Sequence, residues 1–245
     1  MNTVPGRTLT DPDWLTARIA EMGESWGTGS PRIGGTLWWC MVASALVEPI
    51  ARAYAAQLPA PSAELDRIAC EVRPDGGVDR IVFGAVADDE PTGETRSVDP
   101  DGDACSCTDT AERAVDEAVR DGRTEEPGNG ATPAGTALQE TLTAVIAQVA
   151  AVSGARPAAL WAVVADAIGN RAIDAGAPAA GTRLATDIGG RLPSPRFTEI
   201  GARTFVRRIS CCLVYEVPGC QMCTSCPKRP AAERERLLTE LAARA

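Results

Sequence analysis

The chain has 245 residues, 44% of them hydrophobic, and 24 basic against 33 acidic side chains give a net charge of −9. That length suits one domain of ordinary size, or one plus a small appendage, and the apolar share can build a core without disulfide staples. Histidine is absent, which removes His-based triads, imidazole-ligated zinc, His-ligated haem and Rieske centres together.

Other absences narrow the chemistry further. The single lysine, Lys228, follows Pro227, whereas a phosphate-binding P-loop needs Gly before its Lys. The stretch GTGSPRIGG begins like a dinucleotide fingerprint at Gly27 and Gly29, then has Arg32 where the third Gly belongs. The first residues lack a basic start followed by an apolar run, so no secretory signal is expected. The longest apolar-rich run, Leu37 to Val47, stops at Glu48 and Pro49, short of the roughly 20 residues of a membrane span. The reading is a soluble, cytoplasmic protein without a transmembrane segment. There, clustered cysteines more often bind metal or do redox work than form structural disulfides.

In chain order, Asp11-Pro12 opens a helix over DWLTARIAEM, with an acceptor at the cap and Pro in the first turn. A long, mostly buried helix is expected from Thr36 to about Leu58, bent or restarted at Pro49. Trp38 and Trp39 lie in it, about 100° apart on a helix, so one can pack inside while the other lines a cleft. Two β-prone runs flank Pro74-Asp75-Gly76-Gly77 and read as a hairpin, with Cys70 as a small buried residue. Residues 86–132 are acidic and rich in Gly, Pro, Ser and Thr, the composition of a mobile insertion, with a short helix around DTAERAVDEAVR and with Cys105 and Cys107 inside it.

Helical periodicity returns in TALQETLTAVIAQVAAVSG, ending at Gly154, and in RPAALWAVVADAIGNRAIDAG, from Pro157 to Gly176. AAGTRLATDIGGRL is a weaker third helix, TFVRRISCCLVYEV reads as extended, and PAAERERLLTELAARA is a terminal helix from Pro230. The fold class is mainly α with a small β-hairpin (α+β). The organisation is an N-terminal helical part with the hairpin (1–85), the acidic insertion (86–132), and a C-terminal helical part (133–245) that ends in a Cys-rich segment (196–230).

Five of the nine cysteines fall between Cys211 and Pro227. Their pattern is Cys211-Cys212, ten residues, Cys223, two residues, Cys226 and then Pro227, with Cys220 as a spare in the spacer. Four thiolates in two pairs suit a tetrahedral zinc or a 2Fe–2S cluster. The adjacent pair discriminates, because zinc knuckles place two to four residues between paired ligands. Adjacent thiolates can serve one iron of a cluster, or reach different edges of it. Pro after the last Cys is also a feature of ferredoxin ligand runs.

Cys-Cys-x10-Cys-x2-Cys near the C-terminal end, after paired arginines and before Pro, resembles the FhuF-type ferric-siderophore reductase family. The motif covers about the last forty residues. GTLWW, and a Trp-bearing helix ahead of the cysteines, extend the likeness more loosely. The resemblance implies a 2Fe–2S cluster held by Cys211, Cys212, Cys223 and Cys226, and one-electron reduction of siderophore-bound iron(III). Cys220 and the insertion depart from the pattern.

The rest of the chain accords with that implication. It lacks a nucleotide fingerprint, so electrons would come from a ferredoxin- or flavodoxin-like donor or a small reductant. From Arg196 to Arg236 eight basic residues stand against four acidic ones, a net of +4 that leaves −13 elsewhere. An acidic chain with one basic corner is a poor nucleic-acid binder. Arg203, Arg207, Arg208, Lys228 and Arg229, with Trp38 and Trp39, are candidates to dock the ferric complex or the donor, and the basic side chains also to stabilise a reduced, more negative cluster. The alternative is a regulatory or binding protein with a structural zinc on four cysteines, and a thiol sensor whose adjacent cysteines form disulfides is a third reading.

Overall fold

The computed structural model describes residues 2–84 and 132–244. The expected insertion, its short helix and Cys105 and Cys107 lie outside the described residues, apart from Thr132. Helix α1 (Pro12–Trp26) starts as its sequence predicts, with the Asp11 carboxylate accepting from the Trp14 amide at 2.8 Å. Helix α2 (Pro31–Ala56) is longer than its periodicity suggested and continues through Pro49 as one element. Proline inside a helix costs about 3 kcal/mol. Around it Leu46, Val47, Ile50 and Ala51 are fully buried, and burial of that size, at roughly 1.5–3 kcal/mol per large side chain, outweighs the cost.

Strands β2 (Ile68–Val72) and β3 (Val78–Phe83) form the expected antiparallel hairpin. A short strand, β1 (Asn2–Pro5), pairs with β2 and makes the sheet three-stranded. Four residues ending in Pro carry too little alternation to be read as a strand in advance. Helices α3 (Pro133–Ser153), α4 (Pro157–Asp174) and α5 (Pro178–Ile188) follow, then a second hairpin of β4 (Phe197–Ile200) and β5 (Arg203–Val206), and finally α6 (Ala231–Ala243). Proline stands in the first turn of each of α1 to α5, where its missing amide is not needed and its fixed φ suits the helix. The fold is mainly helical with two small antiparallel sheets.

Helix α2 is the centre of the core. It packs against α1, α3, α4, α5 and β3, so the N-terminal and C-terminal parts share one set of buried side chains. Its apolarity is long enough by length and composition to cross a membrane, with a mean hydropathy of 1.3, but 67% of that window is buried inside the protein. Helices that are hydrophobic all round occur as core helices for this reason.

Both tryptophans of α2 are core residues with no exposed surface. The Trp38 indole donates to the Gly76 carbonyl at 3.1 Å and the Trp39 indole to Leu160 at 3.0 Å. Trp38 also meets Trp14 edge to face, with ring centroids 6.2 Å apart. Neither can line a cleft or dock a ligand. Each is held where its ring fills the core and its one polar atom finds a carbonyl.

Gly35 lets α2 and α3 approach closely. An added Cβ would stand 2.4 Å from the Ser153 Cβ and 2.7 Å from its Oγ. Gly35→Ala is expected to destabilise the fold by about 1–3 kcal/mol through overpacking, read as a lower urea midpoint with an unchanged slope.

Candidate metal centre

The route to the cysteines is laid down on α4. Val206, the last residue of β5, packs over Gly169, where an added Cβ would come within 3.0 Å of its Cγ2. One turn back on the same face of α4 lies Asp166, which is 3% exposed. Its carboxylate accepts from the amides of Ile209 (3.0 Å) and Ser210 (2.8 Å) and from the Ser210 hydroxyl (2.6 Å). The Arg208 guanidinium approaches it at 3.5 Å. Four donors on one buried carboxylate fix the residues just before Cys211.

Leu213, just after the adjacent pair, is in the left-handed region at φ 64°. A branched side chain there costs roughly 1–2 kcal/mol, and the conformation turns successive amides toward the sulfurs. The Leu213 amide lies beside Cys211 and the Val214 amide beside Cys212, and each favours a thiolate there. A 3₁₀ turn at Val214–Glu216 follows. It is tied to the start of α2 by the Arg32–Glu216 ion pair at 2.5 Å.

On the far side, the Cys226 amide donates to the Cys223 carbonyl at 3.2 Å. Arg229 clamps that turn, donating to the carbonyls of Cys223 (3.0 Å) and Met222 (2.6 Å) while pairing with Glu233.

The four thiols lie as two neighbouring pairs, Cys211 with Cys226 and Cys212 with Cys223. Each adjacent cysteine therefore partners a different member of Cys-x2-Cys. The neighbouring Cys223, with the Val214 amide and Arg208, pulls Cys212 down to about 5 against its desolvation. Cys223 is pushed up, first by Cys212 beside it, and burial pushes Cys211 up. Burial opposes the charge on Arg208, but the thiols of Cys223, Cys40 and Cys212 and the Asp166 carboxylate outweigh it. A fixed guanidinium beside Cys212 and Cys223 favours thiolate there, as a soft-metal site requires.

Four soft donors in two pairs, with amides beside two sulfurs and one part-buried cation, fit a pair of sulfide-bridged irons.

The other sequence candidates separate. Arg208 and Arg229 turn inward, with side chains 19% and 14% exposed, and are committed to the site's own framework. Arg203 donates to the Leu241 carbonyl at 3.2 Å and lies over the Phe205 ring. Arg207 and Lys228 are exposed and make no ion pair among the described residues. Cys220, whose amide donates to Val217 at 3.1 Å, packs against the core edge, outside the two thiol pairs. Cys70 is buried in β2, as expected.

Two residues had no local signal linking them to the motif. Cys40, on α2, has Arg208, Cys212, Asp166 and Cys211 as electrostatic neighbours, and burial pushes its thiol up to about 12. Asp166 is a lone carboxylate in the apolar run WAVVADAIG. That oddity marks it as a partnered buried charge, without naming the partner.

Paired thiols at the end of a helical fold are the donor set of an iron–sulfur or a zinc protein. Residues 208–228 match the model of the FhuF 2Fe-2S C-terminal domain, so the chain is of the FhuF type in that segment and its cofactor is a 2Fe–2S cluster. No curated protein and no solved structure matches the chain.

Asp166→Ala leaves a buried cation and three further donors without their acceptor. It is expected to cost about 3–5 kcal/mol, measured by urea unfolding of the metal-free protein. An effect below about 1 kcal/mol would mean that the carboxylate does not hold the segment.

Proposed function

We propose that the protein is a ferric-siderophore reductase that acts in the cytoplasm, with Cys211, Cys212, Cys223 and Cys226 as the ligands of its 2Fe–2S cluster. The placing of each adjacent cysteine beside a different member of Cys-x2-Cys carries this reading, because it would offer two thiols to each of two irons. The bound cluster supplies single electrons, which is the stoichiometry of reducing iron(III) to iron(II). Siderophores hold iron(III) through hard oxygen donors, and iron(II) binds those donors far less well. One electron from a ferredoxin- or flavodoxin-like protein thus balances one iron(II) released with its ligand set free.

The chain's own part is to bind and to expose. Cys211, Cys212 and Cys223 are half-buried, which supports electron exchange at the surface. The exposed Arg207 and Lys228, with Arg203, supply positive charge beside the segment for an anionic ferric complex or an acidic donor. No proton transfer is required of them, in keeping with a chain that contains no histidine.

Protein purified without oxygen is expected to be red-brown, to contain iron and sulfide in equal amounts, and to bleach with dithionite. Cys212→Ser should lose the visible spectrum, while Cys220→Ser and Cys40→Ser keep it. Dithionite-reduced protein, freed of reductant and mixed with a ferric hydroxamate, should be reoxidised as an iron(II) trap develops colour. A colourless protein with one zinc per chain would sink the cluster, loss of colour in Cys220→Ser would overturn the ligand set, and failure of reoxidation with hydroxamate, catecholate and carboxylate complexes alike would overturn the substrate class.

A further inference from the structure

Among the described residues, Arg208 is the part-buried cation whose guanidinium meets a thiol sulfur. Its Nη1 lies 3.6 Å from Cys223 Sγ, its Nη2 lies 3.4 Å from Ser210 Oγ, and its Nε faces Asp166 at 3.5 Å. Ser210 Oγ in turn donates to Asp166 at 2.6 Å, so the guanidinium is seated by two groups that are themselves fixed. The neighbouring Arg207 carries the same charge but is exposed. A cation that meets solvent is screened, whereas one with a 19% exposed side chain acts through a medium of lower effective dielectric.

We infer that Arg208, seated by Asp166 and Ser210, is a positioning residue that raises the reduction potential of the centre through Cys223 rather than a docking residue for the ferric complex. The inference rests on the cluster ligands proposed above. Adding an electron makes the centre more negative. A fixed positive charge and an N–H donor at one ligand sulfur stabilise that state more than the oxidised one. Removing them lowers the potential. This separates the two adjacent arginines by what they touch: Arg208 sets how readily the centre accepts an electron, and Arg207 meets what arrives at the surface.

The test is the midpoint potential, read by visible and electron paramagnetic resonance spectra in a dithionite titration of the anaerobic holoprotein. Arg208→Gln is expected to make reduction about tenfold less favourable, about 59 mV lower for a one-electron couple, with iron and sulfide unchanged. Arg208→Met fills the same volume without charge and should show the same fall. It serves if the Gln variant does not fold. Arg207→Gln removes an equal charge from the exposed neighbour and should move the potential by less than a third as much.

A wild-type potential in both Arg208 variants would overturn the inference. So would an equal fall in Arg207→Gln, which would make it a general charge effect. Loss of the cluster from both folded Arg208 variants would overturn it in favour of a role in assembly alone. Wild-type protein lacking iron and sulfide would instead be a failure of the cluster reading, and a shifted potential without ferric-siderophore reduction would leave the inference standing while the substrate fails.

Discussion

The buried carboxylate of Asp166 is the constraint on which the site depends. A charge removed from water needs nearly all its acceptor positions filled. Asp166 fills them with the amides of Ile209 and Ser210, the Ser210 hydroxyl and the Arg208 guanidinium. Because the donors belong to the residues just before Cys211, satisfying the charge also sets where the ligand segment begins. The helix that bears Asp166 is itself locked by packing against α2. The rigidity of the core thus passes to a stretch that has little regular structure of its own.

From that anchor the two halves of the motif are held by different means. The adjacent pair is shaped from the backbone. Leu213 in the left-handed region brings its own amide and that of Val214 beside the two sulfurs, and its strain persists because Leu213 packs on the core and the Arg32–Glu216 pair holds the following turn. The Cys-x2-Cys half is shaped by a side chain, with Arg229 drawing the Met222 and Cys223 carbonyls together. Either half alone would leave two thiols free to sample many positions. Together they present four sulfurs in two pairs.

The basic corner changes meaning once its partners are known. Arg208, Arg229 and Arg236 are paired with Asp166, Glu233 and Glu240. Asp166 and Glu240 lie outside the stretch that carries the excess and offset half of it; the Arg208 and Arg229 pairs are framework, whereas the Arg236 pair is at the surface. What remains at the surface beside the cysteines is small, and its influence on association is correspondingly sensitive to salt.

Local chemistry made much of this chain legible in advance. Prolines at helix starts, glycines at helix ends, apolar periodicity and the turn at Pro74 to Gly77 announce all six described helices and the first hairpin, because caps and turns are decided within a few residues. The cysteine spacing likewise announces two pairs of thiolates. Tertiary structure alone decided the rest: that both tryptophans of α2 are sealed in the core, that α2 is continuous through Pro49, that β1 completes the sheet, and that each adjacent cysteine joins a different partner. It also decided which arginines turn inward and that Asp166 and Cys40 belong to the site. The physical reason is common to all of these. Burial of a ring or a charge is settled by packing between segments far apart in sequence, and Asp166 reaches its amide partners across 43 and 44 residues, a separation over which residue spacing carries no signal.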